Sequence, residues 1–488
     1  MFLNNRLIIK VLSAVATVIG VSMLVPAAVS AYYGEWDIVK AFLLSCIPVI
    51  IAGSAVTKYS PKPKDSVLRM RDGFFVVGVS WLAMSFVGCL PFMISGTILA
   101  FADAYFETAS GFSTTGSTIL SEIQSLPKGI LFWRSFTHWL GGMGVLVLTI
   151  AILPKLGIGG QKIMRAETTG PTMDKISFTT NETAKILYML YCGLSVIELV
   201  FLLAGGMSLY DALVNTFGTV GTGGFSNYNA SIGAYDSVYF EMVISVFMLL
   251  AGVNFSLYYN IVRKKPLNIL KDYEFRVYAA IVGASTAFIT AMLVIKNNYE
   301  TIGQAFRYAF FQVSSIITTT GYGTADFDTW PLPCRFIIFF LMFVGGCAGS
   351  TGGGMKVIRV AFTAKLINRG ISRRLHPQSV SPIKVAGKTV SAETMSGVAG
   401  FVLLYIFTIV IGTLLIALEG VTPITALSSV VACVSNIGPG FEAVGPTMNF
   451  GFYSAPAKLL LSMFMIAGRL ELFTIILLFT PAFWNRRT

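Results

Sequence analysis

The chain has 488 residues, of which 55% are hydrophobic and 12% are charged, whereas soluble proteins carry about 25% charged residues. This composition excludes an ordinary soluble globular protein. The formal net charge is +12 at pH 7, which in a soluble protein would suggest nucleic acid as a partner. Here the lysines and arginines lie in segments between long apolar blocks, so we expect a polytopic membrane protein with no nucleic-acid partner.

Ten apolar segments are long enough to cross a bilayer, which takes about 20 residues of helix. In chain order they are 8–31, 38–57, 73–96, 129–153, 186–205, 238–262, 277–295, 334–366, 396–418 and 456–484. The first follows Arg6 and Lys10 as a signal peptide would, but its apolar stretch is longer than that of a typical signal sequence. We therefore expect it to remain as a span that forms a hairpin with the second.

The connections between the spans alternate between basic and acidic. Basic residues are concentrated at 58–71, 155–185, 263–276, 369–388 and 486–487. By the positive-inside rule these segments and both termini are cytoplasmic. The six cysteines show no paired spacing, and no set of histidine and carboxylate residues has the spacing of a metal or catalytic site. We expect neither a cofactor in this chain nor enzymatic activity.

An internal repeat organises the chain after the first two spans. Four outer connections each combine about ten residues that can form a short helix with a strand in which an apolar residue stands four positions before a glycine. These strands are Phe112-Ser113-Thr114-Thr115-Gly116, Phe217-Gly218-Thr219-Val220-Gly221, Ile317-Thr318-Thr319-Thr320-Gly321 and Val434-Ser435-Asn436-Ile437-Gly438. Each repeat begins and ends in the cytoplasm, so the four copies are parallel and can surround one axis.

The predicted fold is an all-α polytopic membrane protein with an N-terminal helix hairpin and four parallel repeats around one central pore. Its units are 1–70, 71–165, 166–265, 266–375 and 376–488. Irregular backbone at membrane depth is tolerated where it is buried in protein or lines a cavity, and rings of backbone carbonyls can replace the hydration shell of an ion. Glycines could instead serve helix packing, but their register in four repeats favours an ion filter.

Twelve residues are predicted to form this filter, three from each repeat. They are Thr114, Thr115, Gly116, Thr219, Val220, Gly221, Thr319, Thr320, Gly321, Asn436, Ile437 and Gly438. Two of the strands have the form of the Thr-Val-Gly-Tyr-Gly strand of potassium channels. The short helices direct their C-terminal ends inward, and the negative end of the helix dipole favours a cation there.

In these residues the chain resembles the Trk/Ktr/HKT superfamily of potassium transporters. It is most similar to the bacterial TrkH-type uptake subunits, because these also have the extra N-terminal pair of spans. The resemblance covers essentially the whole chain. Its specific marks are Val220-Gly221-Thr222-Gly223-Gly224-Phe225-Ser226, Asn436-Ile437-Gly438-Pro439-Gly440 and the run from Gly345 to Lys356. It implies that K+ is the transported ion and binds at the second and third filter residue of each repeat.

The resemblance also implies which residues select the ion. One filter residue per repeat governs selectivity in this superfamily, and it corresponds here to Gly116, Gly221, Gly321 and Gly438. All four are glycine, which resembles the potassium-selective pattern, whereas some sodium-favouring plant relatives have serine in the first repeat. The resemblance further implies a bacterial plasma-membrane location, a homodimer with one pore per subunit in membrane lipid, and a separate cytoplasmic TrkA-type nucleotide-binding regulatory subunit.

The run from Gly345 to Lys356 interrupts the span predicted at 334–366. Its small and charged residues are Gly345, Gly346, Gly349, Ser350, Thr351, Gly352, Gly353, Gly354 and Lys356. Glycine costs a helix about 1 kcal/mol relative to alanine at each interior position, so a continuous helix is not expected. The resemblance implies an intramembrane gating loop beneath the filter. A glycine-rich packing face is an alternative, whereas a phosphate-binding loop is excluded because Met355 separates Gly354 from Lys356.

Arg469 lies near the middle of the last span, where a charge is costly and usually faces a cavity or a partner. The resemblance implies that Arg469 projects into the pore just below the filter. The alternative is a structural ion pair with a carboxylate such as Glu471. A sodium- or proton-coupled symporter remains the alternative function, although many such folds use inverted repeats and the repeats here are parallel.

Overall fold

The computed structural model describes residues 5–59, 70–144, 180–262, 268–378, 382–385 and 388–484. Over these residues the regular structure is helical, apart from one antiparallel pair of two-residue strands, Lys384–Val385 and Lys388–Thr389. The predicted all-α architecture is confirmed.

Three helices form the N-terminal hairpin. The first span consists of α1 (Asn5–Ser22) and α2 (Leu24–Tyr32), and α3 (Trp36–Tyr59) returns beside it. Small residues bring α1 and α3 close together, because a methyl group added at Gly20 or Gly53 would lie within 3.0 Å of the facing helix. Close approach through small residues is a common way for helices to associate in a bilayer.

Four units with the same order of elements follow the hairpin. Repeat 1 contains α4 (Met70–Ile94), α5 (Phe101–Phe112) and α6 (Lys128–Gly142). Repeat 2 contains α7 (Thr180–Ala204), α8 (Leu209–Val220), α9 (Val238–Ala251) and α10 (Phe255–Val262). Repeat 3 contains α11 (Asn268–Lys271), α12 (Tyr273–Ile295), α13 (Ile302–Ile317), α14 (Leu332–Val344) and α15 (Val357–Leu375). Repeat 4 contains α16 (Ala392–Ala417), α17 (Pro423–Ser435), α18 (Ala455–Arg469), α19 (Phe473–Phe479) and α20 (Pro481–Trp484).

The helices α5, α8, α13 and α17 precede the glycine strands, and we call them the pore helices. Two of them, α5 and α17, are buried along almost their whole length, as expected for helices that are surrounded by protein. Within the described residues, six helical segments are long and apolar enough to cross a membrane. They are the first span, formed by α1 and α2 together, α3, and the opening helices α4, α7, α12 and α16.

The closing helices α6, α9, α14 and α18 are shorter than a span. The prediction of continuous spans at 238–262 and 456–484 is wrong, because the first is broken at residues 252–254 and the second at residues 470–472. In repeat 2 the side chain of Asn254 accepts a hydrogen bond from the Ser256 N–H at 2.9 Å and so caps a new helix. In repeat 4, Glu471 and Leu472 have φ of +56° and +58°, which no α-helix accommodates.

Hydrogen bonds connect the start of α18 with the chain that follows α16 in repeat 4. Ser454 caps α18 and also donates to Glu419, at 2.6 Å from its hydroxyl and 3.0 Å from its N–H. These bonds lower the pKa of the exposed Glu419 carboxyl. The start of the closing helix is thereby fixed to the chain that follows the opening helix.

Several sequence predictions concern segments outside the described residues. They are the part of the predicted span 129–153 after residue 144, parts of the basic segments 58–71, 155–185, 263–276 and 369–388, all of 486–487, and the unit boundaries at 165 and 265.

Candidate functional site

The glycine strands of the four repeats share one backbone geometry. Just after each pore helix comes a left-handed residue: Thr114 (φ +56°), Thr222 (φ +54°), Thr319 (φ +59°) and Asn436 (φ +56°). Two residues later comes a glycine with positive φ: Gly116 (φ +81°), Gly224 (φ +78°), Gly321 (φ +84°) and Gly438 (φ +101°). The residue between them donates its N–H to a pore-helix carbonyl five positions earlier, at 2.8 to 2.9 Å in all four repeats.

This geometry corrects the predicted register of repeat 2. Thr219 and Val220 are the last two residues of α8, and Gly221 is its C-cap with φ of −69°. Thr222, Gly223 and Gly224 are the residues of repeat 2 that are equivalent to the predicted filter residues of the other three repeats. In repeats 1, 3 and 4 the predicted residues occupy equivalent positions.

The four strands meet in a closed ring. A Cβ atom added at Gly116 would lie within 3.0 Å of the Gly223 carbonyl oxygen, and one added at Gly224 would be as close to the Thr320 oxygen. A Cβ atom added at Gly321 would likewise lie within 3.0 Å of the Ile437 carbonyl oxygen. A Cβ atom added at Gly438 would be as close to the Thr115 carbonyl oxygen. This contact leads from repeat 4 back to repeat 1 and closes the ring.

Each of these glycines therefore faces a carbonyl of the next repeat, and only glycine combines positive φ with so close an approach. The carbonyls of Thr115, Gly223, Thr320 and Ile437 belong to equivalent positions around one axis. Such a ring can take the place of water around a dehydrated cation. A depression lined by all four glycines opens on one side of the ring. We call this the outer side, following the sequence prediction, and the opposite side the inner side.

A buried ion pair supports the outer part of the ring. Arg134 on α6 donates to Glu107 on α5 at 2.5 Å, and the two side chains are 2% and 0% exposed. Glu107 also accepts from the Ile119 N–H at 3.0 Å, while Arg134 donates to the Ser226 carbonyl at 3.1 Å. The pair thus joins the segments that follow the filter strands of repeats 1 and 2.

We expect the variant Glu107→Gln to lower stability strongly, because it leaves the Arg134 charge buried without its carboxylate. Breaking a buried pair in this way costs about 3–5 kcal/mol. The measurement is the apparent melting temperature of the purified protein in detergent. The control is Lys40→Ala, which removes the ion pair of Lys40 with Asp37. The side chains of this pair are 71% and 94% exposed, respectively. Equal melting temperatures for the two variants would contradict the expectation.

The segment 345–356 is a loop, and it lies against the inner side of the ring. The Gly353 N–H donates to the hydroxyl of Thr319 at 2.6 Å. A Cβ atom added at Gly353 would lie within 3.0 Å of the Ser435 oxygen, and one at Gly352 equally close to the Thr318 oxygen. The loop therefore contacts the ends of the pore helices of repeats 3 and 4, directly below their filter strands.

The loop is also joined to the break in the closing span of repeat 2. The Cys347 N–H donates to the Gly252 carbonyl at 2.8 Å, and the Phe255 N–H donates to the Gly349 carbonyl at 3.0 Å. Inside the loop, the buried Lys356 ammonium donates to the Gly352 carbonyl. The breaks in the closing helices of repeats 2 and 3 thus provide hydrogen-bond partners for each other's backbone N–H and C=O groups, which buried polar groups require.

Arg469 joins the loop to repeat 1. Its guanidinium donates to the Thr351 carbonyl at 2.6 Å and to the Thr114 hydroxyl at 3.1 Å. It also donates to the carbonyls of Gly141 and Gly142, at 2.7 and 2.6 Å, at the C-terminal end of α6. The guanidinium therefore lies between the glycine strand of repeat 1 and the loop 345–356. Glu471, the carboxylate nearest to Arg469 in the sequence, pairs with Arg359 at 2.5 Å.

Sequence reasoning left two features of this site undefined. It did not connect Arg134 with Glu107, although both are charges in apolar surroundings, which is a usable signal. Glu274, whose carboxyl accepts backbone N–H groups from Ala348 and Ile358, was not singled out. It stands in the first turn of α12, where acidic residues are common in helices.

Comparisons with known proteins identify the family. The profile of the TrkH family, described as cation transport proteins, matches residues 39–486. Trk system potassium uptake protein TrkH of Halomonas elongata is 37% identical over 99% of this chain and 100% of its own. The Escherichia coli K12 protein of the same name is also 37% identical, again over 99% of this chain and 100% of its own.

A solved structure agrees with these relatives. The crystal structure of the potassium transporter TrkH from Vibrio parahaemolyticus matches with a TM-score of 0.88 and 35% sequence identity, covering 98% of this chain and 99% of that one. The similarity extends over the hairpin and all four repeats. The chain belongs to the TrkH family of cation transport proteins.

Proposed function

We propose that this chain takes up potassium as the membrane subunit of a Trk system. The observation that carries the proposal is the closed ring in which Gly116, Gly224, Gly321 and Gly438 each face a carbonyl of the next repeat. Its relatives in Halomonas elongata and Escherichia coli are named as Trk system potassium uptake proteins. Dehydrated K+ passes the ring, with the carbonyls of Thr115, Gly223, Thr320 and Ile437 among its ligands.

In this proposal the loop 345–356 is the gate, and Arg469 helps to keep it closed. Support comes from the hydrogen bonds of the loop to Thr319 and Arg469 directly below the ring. The cations of Lys356 and Arg469 are both buried there, where they oppose the passage of K+. The membrane potential supplies the driving force, about 2.3 kcal/mol per charge for each 100 mV.

The location and the partners are part of the same proposal. The chain resides in the bacterial inner membrane with both termini in the cytoplasm, and it does not act as an enzyme. Because four repeats complete one ring, each subunit of a homodimer has its own pore. The name Trk system, carried by the relatives, supports additional components, and we propose a cytoplasmic TrkA-type nucleotide-binding subunit that contacts the basic segments.

The test is tracer uptake into liposomes that contain the purified chain, under an imposed potential, with K+, Rb+ and Na+ compared. We expect the potential alone to drive K+ and Rb+ uptake. The variant Gly116→Ser should admit Na+, since its side chain would displace the neighbouring Gly223 carbonyl from the ring. Uptake that requires a Na+ or proton gradient and ignores Gly116 would instead favour the coupled symporter.

A further inference from the structure

Glu274 occupies the second position of α12, but its carboxylate does not serve that helix. The N-terminus of α12 is capped by Asp272, whose side chain accepts from the Phe275 N–H at 2.8 Å. The Glu274 residue is only 8% exposed, and a buried carboxylate needs partners. Its partners lie on another part of repeat 3.

The first partner is the helix that leaves the loop. The N-cap of α15 is Lys356, with φ of +76° and no side-chain bond to the helix. Lysine has no acceptor atom, so α15 begins without a cap from its own sequence. Glu274 supplies one, because its Oε1 atom accepts from the Ile358 N–H at 3.1 Å. A negative charge is favourable at this end of a helix.

The second partner is the loop itself. The same Oε1 atom accepts from the Ala348 N–H at 2.8 Å. One oxygen therefore binds the chain near both ends of the segment 348–358. Between these two points lie Thr351, which accepts from Arg469, and Gly353, which donates to Thr319 below the ring.

We propose that Glu274 is a latch that holds the loop 345–356 in the position seen here. It is a positioning residue, since it contacts the backbone of the loop and acts on ions only through the loop. The inference rests on the proposed function, in which this loop is the gate. Movement of the loop as one unit away from the filter breaks the bond to Ala348, the bond to Ile358 or both.

The native cysteine Cys347 offers a direct report of loop position. It is next to Ala348 and 1% exposed, so in the latched state a thiol reagent reaches it slowly. Five other cysteines lie outside the loop: Cys46, Cys89, Cys192, Cys334 and Cys433. Replacing these five by serine or alanine in the full-length chain leaves Cys347 as the only thiol for a small methanethiosulfonate reagent.

The experiment compares Glu274→Ala, Glu274→Gln and Asp272→Ala in nanodiscs, with K+ uptake into liposomes measured in parallel. Glutamine keeps an oxygen that can accept both N–H groups, whereas alanine removes it. Both changes remove the charge beside the thiol, so their difference reports the position of the loop. We expect Cys347 to react at least about tenfold faster in the alanine than in the glutamine variant, because alanine loses both buried hydrogen bonds to the loop.

The matched control Asp272→Ala removes the neighbouring carboxylate, which caps α12 and does not contact the loop. We expect Cys347 to react much more slowly in this variant than in Glu274→Ala, because the bonds of Glu274 to Ala348 and Ile358 remain. Equal Cys347 rates in the alanine and glutamine variants would overturn the latch. Faster reaction of Cys347 in the alanine variant with unchanged K+ uptake would support the latch role of Glu274 but contradict the proposal that the loop is the gate. Increased uptake without faster reaction would show that Glu274 acts elsewhere, again overturning the latch.

Discussion

Replacement of Gly224 by serine is expected to reduce K+ uptake by at least about tenfold, which corresponds to about 1.4 kcal/mol in the barrier, and to raise the ratio of Na+ to K+ uptake. Gly224 has φ of +78°, and an added Cβ would lie within 3.0 Å of the Thr320 carbonyl oxygen. The side chain must therefore strain its own backbone or displace a carbonyl of the ring. Uptake of K+ and Na+ into liposomes under one imposed potential measures both effects.

The matched control is Gly323→Ser, because an added Cβ at Gly323 meets nothing within 4 Å. It should leave both the rate and the ion ratio unchanged. Melting temperatures of both variants show whether Gly224→Ser has simply unfolded the protein. A folded Gly224→Ser variant with the uptake and ion ratio of the wild type would contradict the revised register of repeat 2.

The sequence predicted the wrong register in repeat 2 for a specific reason. The pattern of an apolar residue four positions before a glycine occurs there twice, once from Phe217 to Gly221 and again from Val220 to Gly224. Only the end of the pore helix distinguishes them, and α8 continues through Val220. Helix ends are set by caps and tertiary contacts, and they are the least reliable part of a sequence-based assignment.

The parallel repeats were predictable because they depend on long periodic features: apolar length, alternating charge and a recurring glycine. The loop 345–356 was predictable because its glycine content is incompatible with a helix. The breaks in repeats 2 and 4 were not predictable in this way, because residues 252–254 and 470–472 together contain only one glycine. Their interrupted backbone is stabilised by distant partners, such as the bond from Cys347 to Gly252, which local sequence does not reveal.

Replacement of Arg469 by alanine is expected to increase basal K+ uptake by about tenfold or more. Two effects add: the loop loses its bond at Thr351, and a buried positive charge is removed from the proposed path of the ion. Two unit charges 4 Å apart at an effective dielectric constant of 20 interact by about 4 kcal/mol, and about 1.4 kcal/mol already corresponds to a tenfold change in rate. The measurement is K+ flux under a fixed potential, without any partner subunit.

The variant Arg469→Lys separates the two effects. Lysine keeps the charge, but it lacks the planar fork that reaches Thr351 and the carbonyls of Gly141 and Gly142 together. If charge dominates, flux through the lysine variant stays near the wild-type value; if the bond to the loop dominates, it approaches that of the alanine variant. A folded alanine variant with wild-type flux would show that Arg469 only fills space between repeat 1 and the loop. The gate would then depend on contacts such as those of Glu274 and Thr319 alone.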